Sequence, residues 1–257
     1  MLNAFNARIG FVVVFMAIMV LNIFYPIPRM VYPVLLLAYI LLVFWGSYFI
    51  QSDFFVKAHY KGDKNRKAIA ITFDDGPMQE FTPRLLDLLK TEKVSAGFFL
   101  IGRNVEASPT LAKRIVDEGH LVGNHSYSHT YWFSMNSAKS ILADLKQCDE
   151  QLVKATGLKP RFFRPPYGVT NPMVAKAVKE GGYDCIGWNI RTYDTNATSA
   201  EQLLQKSLKN LSNGDIILFH DWGKHTIGIL SDFIAEVRKR GFEIVRLDEL
   251  LGAKAYY

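Results

Sequence analysis

Two long uncharged stretches at the N-terminus constrain the architecture of this chain more than any other feature. No Asp, Glu, Lys or Arg lies between Arg8 and Arg29, nor between Arg29 and Asp53. Each stretch offers about the twenty apolar residues with which a helix crosses the hydrocarbon core of a bilayer. The Pro26-Ile27-Pro28-Arg29 segment between them is typical of a tight turn. The two stretches therefore predict a hairpin of membrane-spanning helices.

We predict a membrane hairpin over residues 1–58, with helices at about 9–28 and 31–51, and one further domain over residues 59–257. A cleaved signal peptide is the alternative, but its apolar region is usually shorter and is followed by a cleavage site of small residues. Here a second apolar stretch follows. Aromatic residues that suit the membrane interface lie toward the ends of both spans: Phe24, Tyr25, Trp45, Tyr48 and Phe49. Membrane lipid is thus a predicted partner.

Beyond the hairpin, β-like runs alternate with amphipathic helical patterns. Strands are predicted near residues 67–73, 97–101, 120–123, 161–163, 183–188, 215–219 and 243–246. Helices are predicted near residues 82–91, 109–118, 137–156, 172–180, 200–210 and 227–240. Such alternation is typical of an α/β fold with a parallel sheet and helices packed outside it.

Two polar motifs follow predicted strands. They are Thr72-Phe73-Asp74-Asp75-Gly76-Pro77 and His125-Ser126-Tyr127-Ser128-His129. One carboxylate and two imidazoles are a ligand set that leaves a catalytic metal open to water, and a second carboxylate beside them is a candidate general base. Either motif alone has an ordinary explanation, a turn or a coincidence on a helix surface. Their joint position after strands, where α/β folds place their sites, favours a metal-dependent hydrolase.

The chain resembles the polysaccharide deacetylases of the NodB-homology type, carbohydrate esterase family four, over roughly residues 67–251. Five motifs of that family occur in order: Thr72 to Pro77, His125 to His129, Arg164-Pro165-Pro166-Tyr167-Gly168, Trp188 to Asp194, and Leu218-Phe219-His220. The resemblance implies an irregular (β/α)7-type barrel of about seven strands, open at one point. In this chain the two predicted transmembrane helices precede it.

The resemblance also implies the roles of the site residues. Asp75, His125 and His129 match the metal ligands, and Asp74 matches the general base, which Arg164 holds in place. His220 matches the general acid, supported by Asp194. Tyr167 matches the residue whose backbone N–H binds the oxyanion in relatives. Leu218 matches the apolar residue that lines their pocket for the acetyl methyl group. Zinc is the expected single divalent ion, although cobalt, nickel or manganese bind the same ligands.

The fourth motif departs from the family pattern. Relatives often have an aromatic residue directly after the supporting aspartate, whereas here Thr195 follows Asp194 and Arg191 lies nearby. The supporting carboxylate is retained, but one wall of the usual sugar groove is missing. A cation at this place favours an anionic or phosphate-bearing substrate, unless Arg191 is only a solvated loop residue.

The predicted function is metal-dependent removal of N-acetyl, or O-acetyl, groups from a glycan. Within enzymes the alternative is a deacetylase or deformylase of polyprenyl-phosphate-linked sugars. A non-catalytic carbohydrate-binding relic is a further alternative, but the machinery is present in the sequence. The net charge of +6 does not indicate nucleic acid, because Lys and Arg form no concentrated patch interleaved with aromatic residues.

Two indications disagree on which side of the membrane the domain lies. Arg8 and the basic run Lys57, Lys61, Lys64, Arg66 and Lys67 flank the hairpin, which by the positive-inside rule indicates a cytoplasmic domain. Most relatives instead act outside the cytoplasmic membrane, and we favour that side. Cys148 and Cys185 have no metal-ligand spacing and are expected to be buried thiols. The oligomeric state is left open.

Overall fold

A computed structural model describes residues 2–257, and within that range nine strands form one parallel sheet. The strands are β1 Ala58–His59, β2 Ala68–Asp74, β3 Gly97–Leu100, β4 Leu121–Asn124, β5 Phe162–Phe163, β6 Asp184–Ile186, β7 Ile190–Arg191, β8 Ile216–His220 and β9 Glu243–Ile244. Their order is β1-β6-β5-β4-β3-β2-β8-β7, and β9 pairs with β2. The predicted α/β class with a parallel sheet is confirmed.

The sheet curls into a barrel that stays open between its two edges. β6 lies toward one edge and β7 forms the other, yet only residues 187–189 join them. The strand predicted over 183–188 is present but shorter, as β6, and β7 is an additional strand outside the predicted range. The Arg164 side chain donates hydrogen bonds to the carbonyls of Ile186 and Gly187 at 3.4 and 3.0 Å, where a longer strand would continue its ladder.

Ten α-helices accompany the strands within residues 2–257. They are α1 Ala4–Phe24, α2 Val31–Tyr48, α3 Thr82–Glu92, α4 Gly102–Ala107, α5 Pro109–Asp117, α6 Ala138–Thr156, α7 Pro172–Gly181, α8 Ala200–Leu208, α9 Thr226–Lys239 and α10 Leu247–Leu251. The sequence did not predict α4, α10, β1 or β7, since each is too short to show a period. The other predicted elements lie within a few residues of their observed bounds.

The central strand β2 divides the core into two clusters because its side chains alternate between the two faces of the sheet. Ile69, Ile71 and Phe73 pack outward against the surrounding helices. Ala68 and Ala70 belong to the second cluster, inside the barrel. Small residues suit the inner face, since a narrow barrel leaves little room there.

The N-terminal helices α1 and α2 are long and apolar enough to cross a membrane by length and composition. Their mean hydropathies are 2.3 and 1.8, and only 6% of each is buried in the structure. The sequence places these helices at about 9–28 and 31–51, and the structure has them at Ala4–Phe24 and Val31–Tyr48. α1 starts earlier because the Asn3 side chain accepts a hydrogen bond from the Asn6 N–H and caps the helix. It ends at Phe24 because Pro26 and Pro28 follow.

The end of α2 packs directly on the barrel. The Thr170 N–H donates to the Ser47 carbonyl at 3.0 Å, and the Ser47 hydroxyl donates to the Thr170 carbonyl. The Gln51 amide donates to the Trp188 carbonyl at 2.7 Å. Only glycine fits at position 46, since a Cβ there would lie 2.3 Å from the ring of Phe54. The hairpin and the barrel are therefore joined by close contacts.

Candidate active site

The strand register brings the motif residues together at the carboxyl ends of the strands. Asp74 at the end of β2 is paired with His220 at the end of β8. Asn124 at the end of β4 is paired with Phe163 of β5, so the next residues, His125 and Arg164, are also neighbours. Motifs that are far apart in sequence thus meet at one end of the barrel, as expected for this class of fold.

Three of these residues form a candidate metal centre. The Asp75 Oδ1 lies 3.3 Å from the His129 Nε2 and 3.5 Å from the His125 Nε2. One ligand atom of each residue lies within 4.8 Å of the others. The His125 Nδ1 donates to the Arg164 carbonyl at 2.8 Å, which directs Nε2 toward Asp75. A divalent cation fits this donor set of one carboxylate and two imidazole nitrogens.

The electrostatics of the centre favour the protonation states that bind metal. Burial alone would raise the pKa of Asp75. The hydrogen bond and charge of His125, together with the charges of the other two histidines, outweigh burial, so the pKa of Asp75 lies below its usual range. Burial, with the nearby His125, lowers the pKa of His129 to about 4. At neutral pH the carboxylate is ionised and the His129 ring is neutral, as ligands must be.

Asp74 lies beside this centre and is held by Arg164. The Arg164 Nη1 donates to the Asp74 Oδ1 at 2.7 Å and to the Thr72 Oγ1 at 2.9 Å. The guanidinium is fully buried, and its Cζ lies 4.0 Å from the centroid of the Phe99 ring. The Asp74 Oδ2 points the other way, 3.8 Å from the His125 Nε2. One carboxylate oxygen is thus fixed by Arg164 while the other faces the candidate metal centre.

His220 and Asp194 form a second pair across the site. The His220 Nδ1 donates to the Asp194 Oδ1 at 2.8 Å, and the other carboxylate oxygen accepts from the His220 N–H and the Thr226 hydroxyl, both at 2.7 Å. Burial alone lowers the pKa of His220, but the hydrogen bond and charge of Asp194 outweigh it and raise that pKa. Asp194 therefore favours the protonated form of His220.

The candidate metal ligands, Asp74 and His220 line one cavity of about 240 Å³. Both predicted substrate-binding residues lie there. Leu218 is almost fully buried, and the Tyr167 ring lies 5.0 Å from the His129 ring. The wall also includes Gly168, Trp188, Arg191, Tyr193, Thr195, Asn196 and Trp222. The structure therefore places every predicted site residue on the cavity wall except Arg164 and Asp194, which are buried. Arg164 contacts Asp74 and Asp194 contacts His220, and both of these partners line the wall.

Several residues around the cavity hold a left-handed backbone that side chains other than glycine seldom adopt. They are Asp75 (φ 76°), Ser126 (65°), His129 (44°), Tyr167 (60°) and Tyr193 (58°). Such conformations persist only where the surroundings enforce them, and they concentrate at functional sites. Two are metal-ligand candidates, so the ligand geometry is enforced by the loops.

The sequence did not reveal the side chains that hold the candidate metal ligands and their loop in place. The Trp222 Nε1 donates to the Asp75 Oδ2 at 2.8 Å, and so orients that ligand. The Asp144 carboxylate accepts from the Tyr127 N–H at 2.7 Å, and the Asn124 Oδ1 accepts from the Ser126 N–H at 2.8 Å. Trp222 and Asn124 adjoin motifs and could have been noticed. Asp144 lies in α6 and carries no local signal.

Comparisons with known proteins find relatives over most of the chain. A profile for polysaccharide deacetylases matches residues 61–186. A peptidoglycan-N-acetylglucosamine deacetylase of Bacillus cereus is 39% identical over 197 residues, 74% of this chain and 91% of the relative. The peptidoglycan-N-acetylmuramic acid deacetylase PdaA of Bacillus subtilis is 33% identical over 201 residues, 77% of this chain and 76% of the relative.

Solved structures show the same fold. A crystal structure of a peptidoglycan N-acetylglucosamine deacetylase has a TM-score of 0.73 at 33% identity and covers 77% of this chain and 94% of that chain. A pseudoenzyme of carbohydrate esterase family four from Bacillus anthracis has a TM-score of 0.70 at 32% identity, over 74% and 67% of the two chains.

The fold and the relatives define the class: a metal-dependent hydrolase on an open α/β barrel. The chain belongs to the polysaccharide deacetylase family, carbohydrate esterase family four. The predicted family, barrel class and activity, removal of acetyl groups from a glycan, are confirmed.

Proposed function

We propose that this protein is a zinc-dependent deacetylase of N-acetylated sugars in peptidoglycan, with the nine residues predicted from the motifs in their predicted roles. One observation carries the proposal. A candidate base, three candidate ligands and a candidate acid converge on a single cavity whose geometry is enforced from behind by buried partners. A sugar-binding relic would not need the base, the acid and the ligands together.

Each side chain has one task in the proposed reaction. Asp75, His125 and His129 would hold the metal, which would supply a Lewis acid for the acetyl carbonyl and for the attacking water. Asp74 takes the proton of that water through Oδ2, because Arg164 occupies Oδ1. His220 donates a proton to the leaving amine as the C–N bond breaks, and Asp194 stabilises the imidazolium form of His220 from which that proton comes.

Two further residues receive the acetyl group in this scheme. The backbone N–H of Tyr167, in its enforced left-handed conformation, stabilises the negative charge on the carbonyl oxygen. The buried side chain of Leu218 contacts the methyl group. These assignments follow the family resemblance and the position of both residues on the cavity wall.

Arg191 carries the proposal on substrate choice. Its Cζ lies 5.7 Å from the Trp188 ring and 4.9 Å from the Tyr193 ring, and the Lys206 Nζ lies 4.0 Å from the same tyrosine ring. Stacking of this kind holds cations at the cavity edge. We propose that Arg191 binds an anionic group of the glycan, such as a free carboxylate of N-acetylmuramic acid.

The assay that tests the function is acetate release by the full chain, from neutral N-acetylglucosamine oligosaccharides and from a glycan whose muramic acid carboxylates are free. We expect release from both, with the lower KM on the anionic glycan. Arg191→Gln should raise the KM for the anionic glycan about tenfold or more, the value of one charge-assisted hydrogen bond, and leave the neutral substrate unchanged. Release from neither substrate would contradict the proposed function, and equal effects of Arg191→Gln on both would contradict the role of Arg191.

We further propose that α1 and α2 span the cytoplasmic membrane as an uncleaved hairpin, with the barrel outside. The support is the length and hydropathy of both helices and the close contacts of Ser47 with the barrel. The full chain should resist extraction by high salt and alkaline wash, and a C-terminal alkaline phosphatase fusion should be active while a green fluorescent fusion stays dark. Release by alkaline wash would exclude the hairpin, and the opposite fusion pattern would place the barrel inside.

A further inference from the structure

An exposed apolar loop lies between the second motif and α6. In this loop, residues 131–135, the side chains of Tyr131, Trp132 and Met135 are 72%, 65% and 74% exposed. Met173, at the start of α7, is a further exposed apolar residue at 41%. A cluster of large apolar side chains on a soluble surface marks an interaction site.

The 131–135 loop is linked to the membrane end of the hairpin by a short chain of contacts. The Asn171 amide donates to the Ser134 carbonyl at 2.5 Å. Thr170, the preceding residue, exchanges two hydrogen bonds with Ser47 near the end of α2. Next to Ser47, the exposed aromatic rings of Trp45 and Tyr48 mark that end of the helix. Only the adjacent residues Thr170 and Asn171 therefore separate the loop from the interfacial end of a proposed membrane span.

The same loop borders the active site. The Tyr131 ring lies 5.9 Å from the Tyr167 ring, which in turn contacts the ring of the metal-ligand candidate His129. A surface that engages this loop is consequently adjacent to the mouth of the catalytic cavity.

We infer that the 131–135 loop inserts into the interfacial region of the bilayer that the hairpin spans, so that the cavity opens at the membrane surface onto membrane-proximal glycan. Trp and Tyr rings favour this region, because one part of the ring is apolar and the other is polar. Hydrogen bonds through Asn171 and Thr170 link the loop to the interfacial end of the hairpin, which favours phospholipid as its partner. The inference rests on the proposed insertion of α1 and α2.

Fluorescence quenching of labelled full-length protein in phosphatidylcholine and phosphatidylglycerol vesicles tests it. A polarity-sensitive dye is attached to Trp132→Cys, while the native Cys148 and Cys185 are buried and escape labelling. The matched control is Val153→Cys, 42% exposed and about 24 Å along α6 from Ser137 at 1.5 Å per residue. Met16→Cys in the middle of α1 reports insertion of the hairpin itself.

We expect the dye at position 132 to be quenched by lipids that carry a shallow nitroxide and protected from aqueous iodide. The dye at position 153 should show the reverse. Iodide quenching at 132 equal to that at 153, without nitroxide quenching, overturns the inference. The dye at position 16 then shows whether the hairpin has failed as well or only the loop contact.

Activity gives a second test that does not depend on labels. Trp132→Glu should lower acetate release several-fold from an N-acetylated disaccharide that an acyl chain anchors in vesicles, and leave release from a soluble oligosaccharide unchanged. Val153→Glu should alter neither. An equal loss on both substrates would make Trp132 part of the sugar site and would overturn the lipid contact, as would no loss on either.

Discussion

Asp74→Asn is expected to lower kcat for acetate release by about a hundred- to ten-thousandfold, the usual contribution of general-base catalysis. Asparagine keeps the size of the side chain and the hydrogen bond from Arg164 at Oδ1. It cannot take up a proton at the atom that replaces Oδ2. The measurement is acetate release under saturating substrate, with metal content determined on the same sample.

The neighbouring residue provides the control for this variant. Asp75→Asn should lose metal affinity, because its Oδ1 faces both histidine Nε2 atoms, whereas Asp74→Asn should retain metal near the wild-type level. Asp75→Asn should keep the thermal midpoint of the wild type to within a few degrees under matched metal conditions. Asp74→Asn should lower the midpoint, because it leaves the buried Arg164 guanidinium without its carboxylate partner. The opposite pattern, with metal lost on changing Asp74, would reverse the proposed roles of the two aspartates.

Removal of the metal is expected to abolish activity altogether, since water activation and stabilisation of the carbonyl oxygen would both be lost. Dialysis of the full chain against a chelator should reduce acetate release to background, and one equivalent of zinc or cobalt should restore it. Elemental analysis should show one ion per chain in the wild type and less in His129→Ala. Unchanged activity in protein shown to be metal-free would exclude the proposed centre.

Much of the site was predictable because its residues occur in contiguous motifs. Asp74 and Asp75 adjoin in sequence, and His125 and His129 are four residues apart. Parallel strands then bring separate motifs to the same edge, so the predicted set converges once the order of strands is right. The spacing within a motif and the topology of the sheet are therefore enough to predict the layer of residues that faces the cavity.

The residues behind that layer were not predictable in the same way. Asp144 reaches the second motif from a helix that begins after it, and Thr226 reaches Asp194 from α9. These contacts depend on how elements pack, which leaves no pattern along the chain. The break between β6 and β7 also depends on packing, since the Arg164 side chain donates hydrogen bonds to the carbonyls of Ile186 and Gly187 at that point.

The pseudoenzyme from Bacillus anthracis shows why such detail matters for this family. It shares the fold at a TM-score of 0.70 and 32% identity, so the fold alone does not establish catalysis. In this chain the candidate base, ligands and acid meet on one cavity wall, together with the partners that orient them. These contacts favour a catalytic site over a pseudoenzyme.

The junction between α2 and the barrel sets the reach of the enzyme. A flexible linker of n residues would let a tethered domain sweep a radius of about 5–6 Å × √n. Here α2 ends at Tyr48 and β1 begins at Ala58, and the residues between them pack on the barrel instead of forming such a linker. With the hairpin in a bilayer as proposed, the cavity would be held at one fixed height. The proposed enzyme would then modify only the glycan that passes that height.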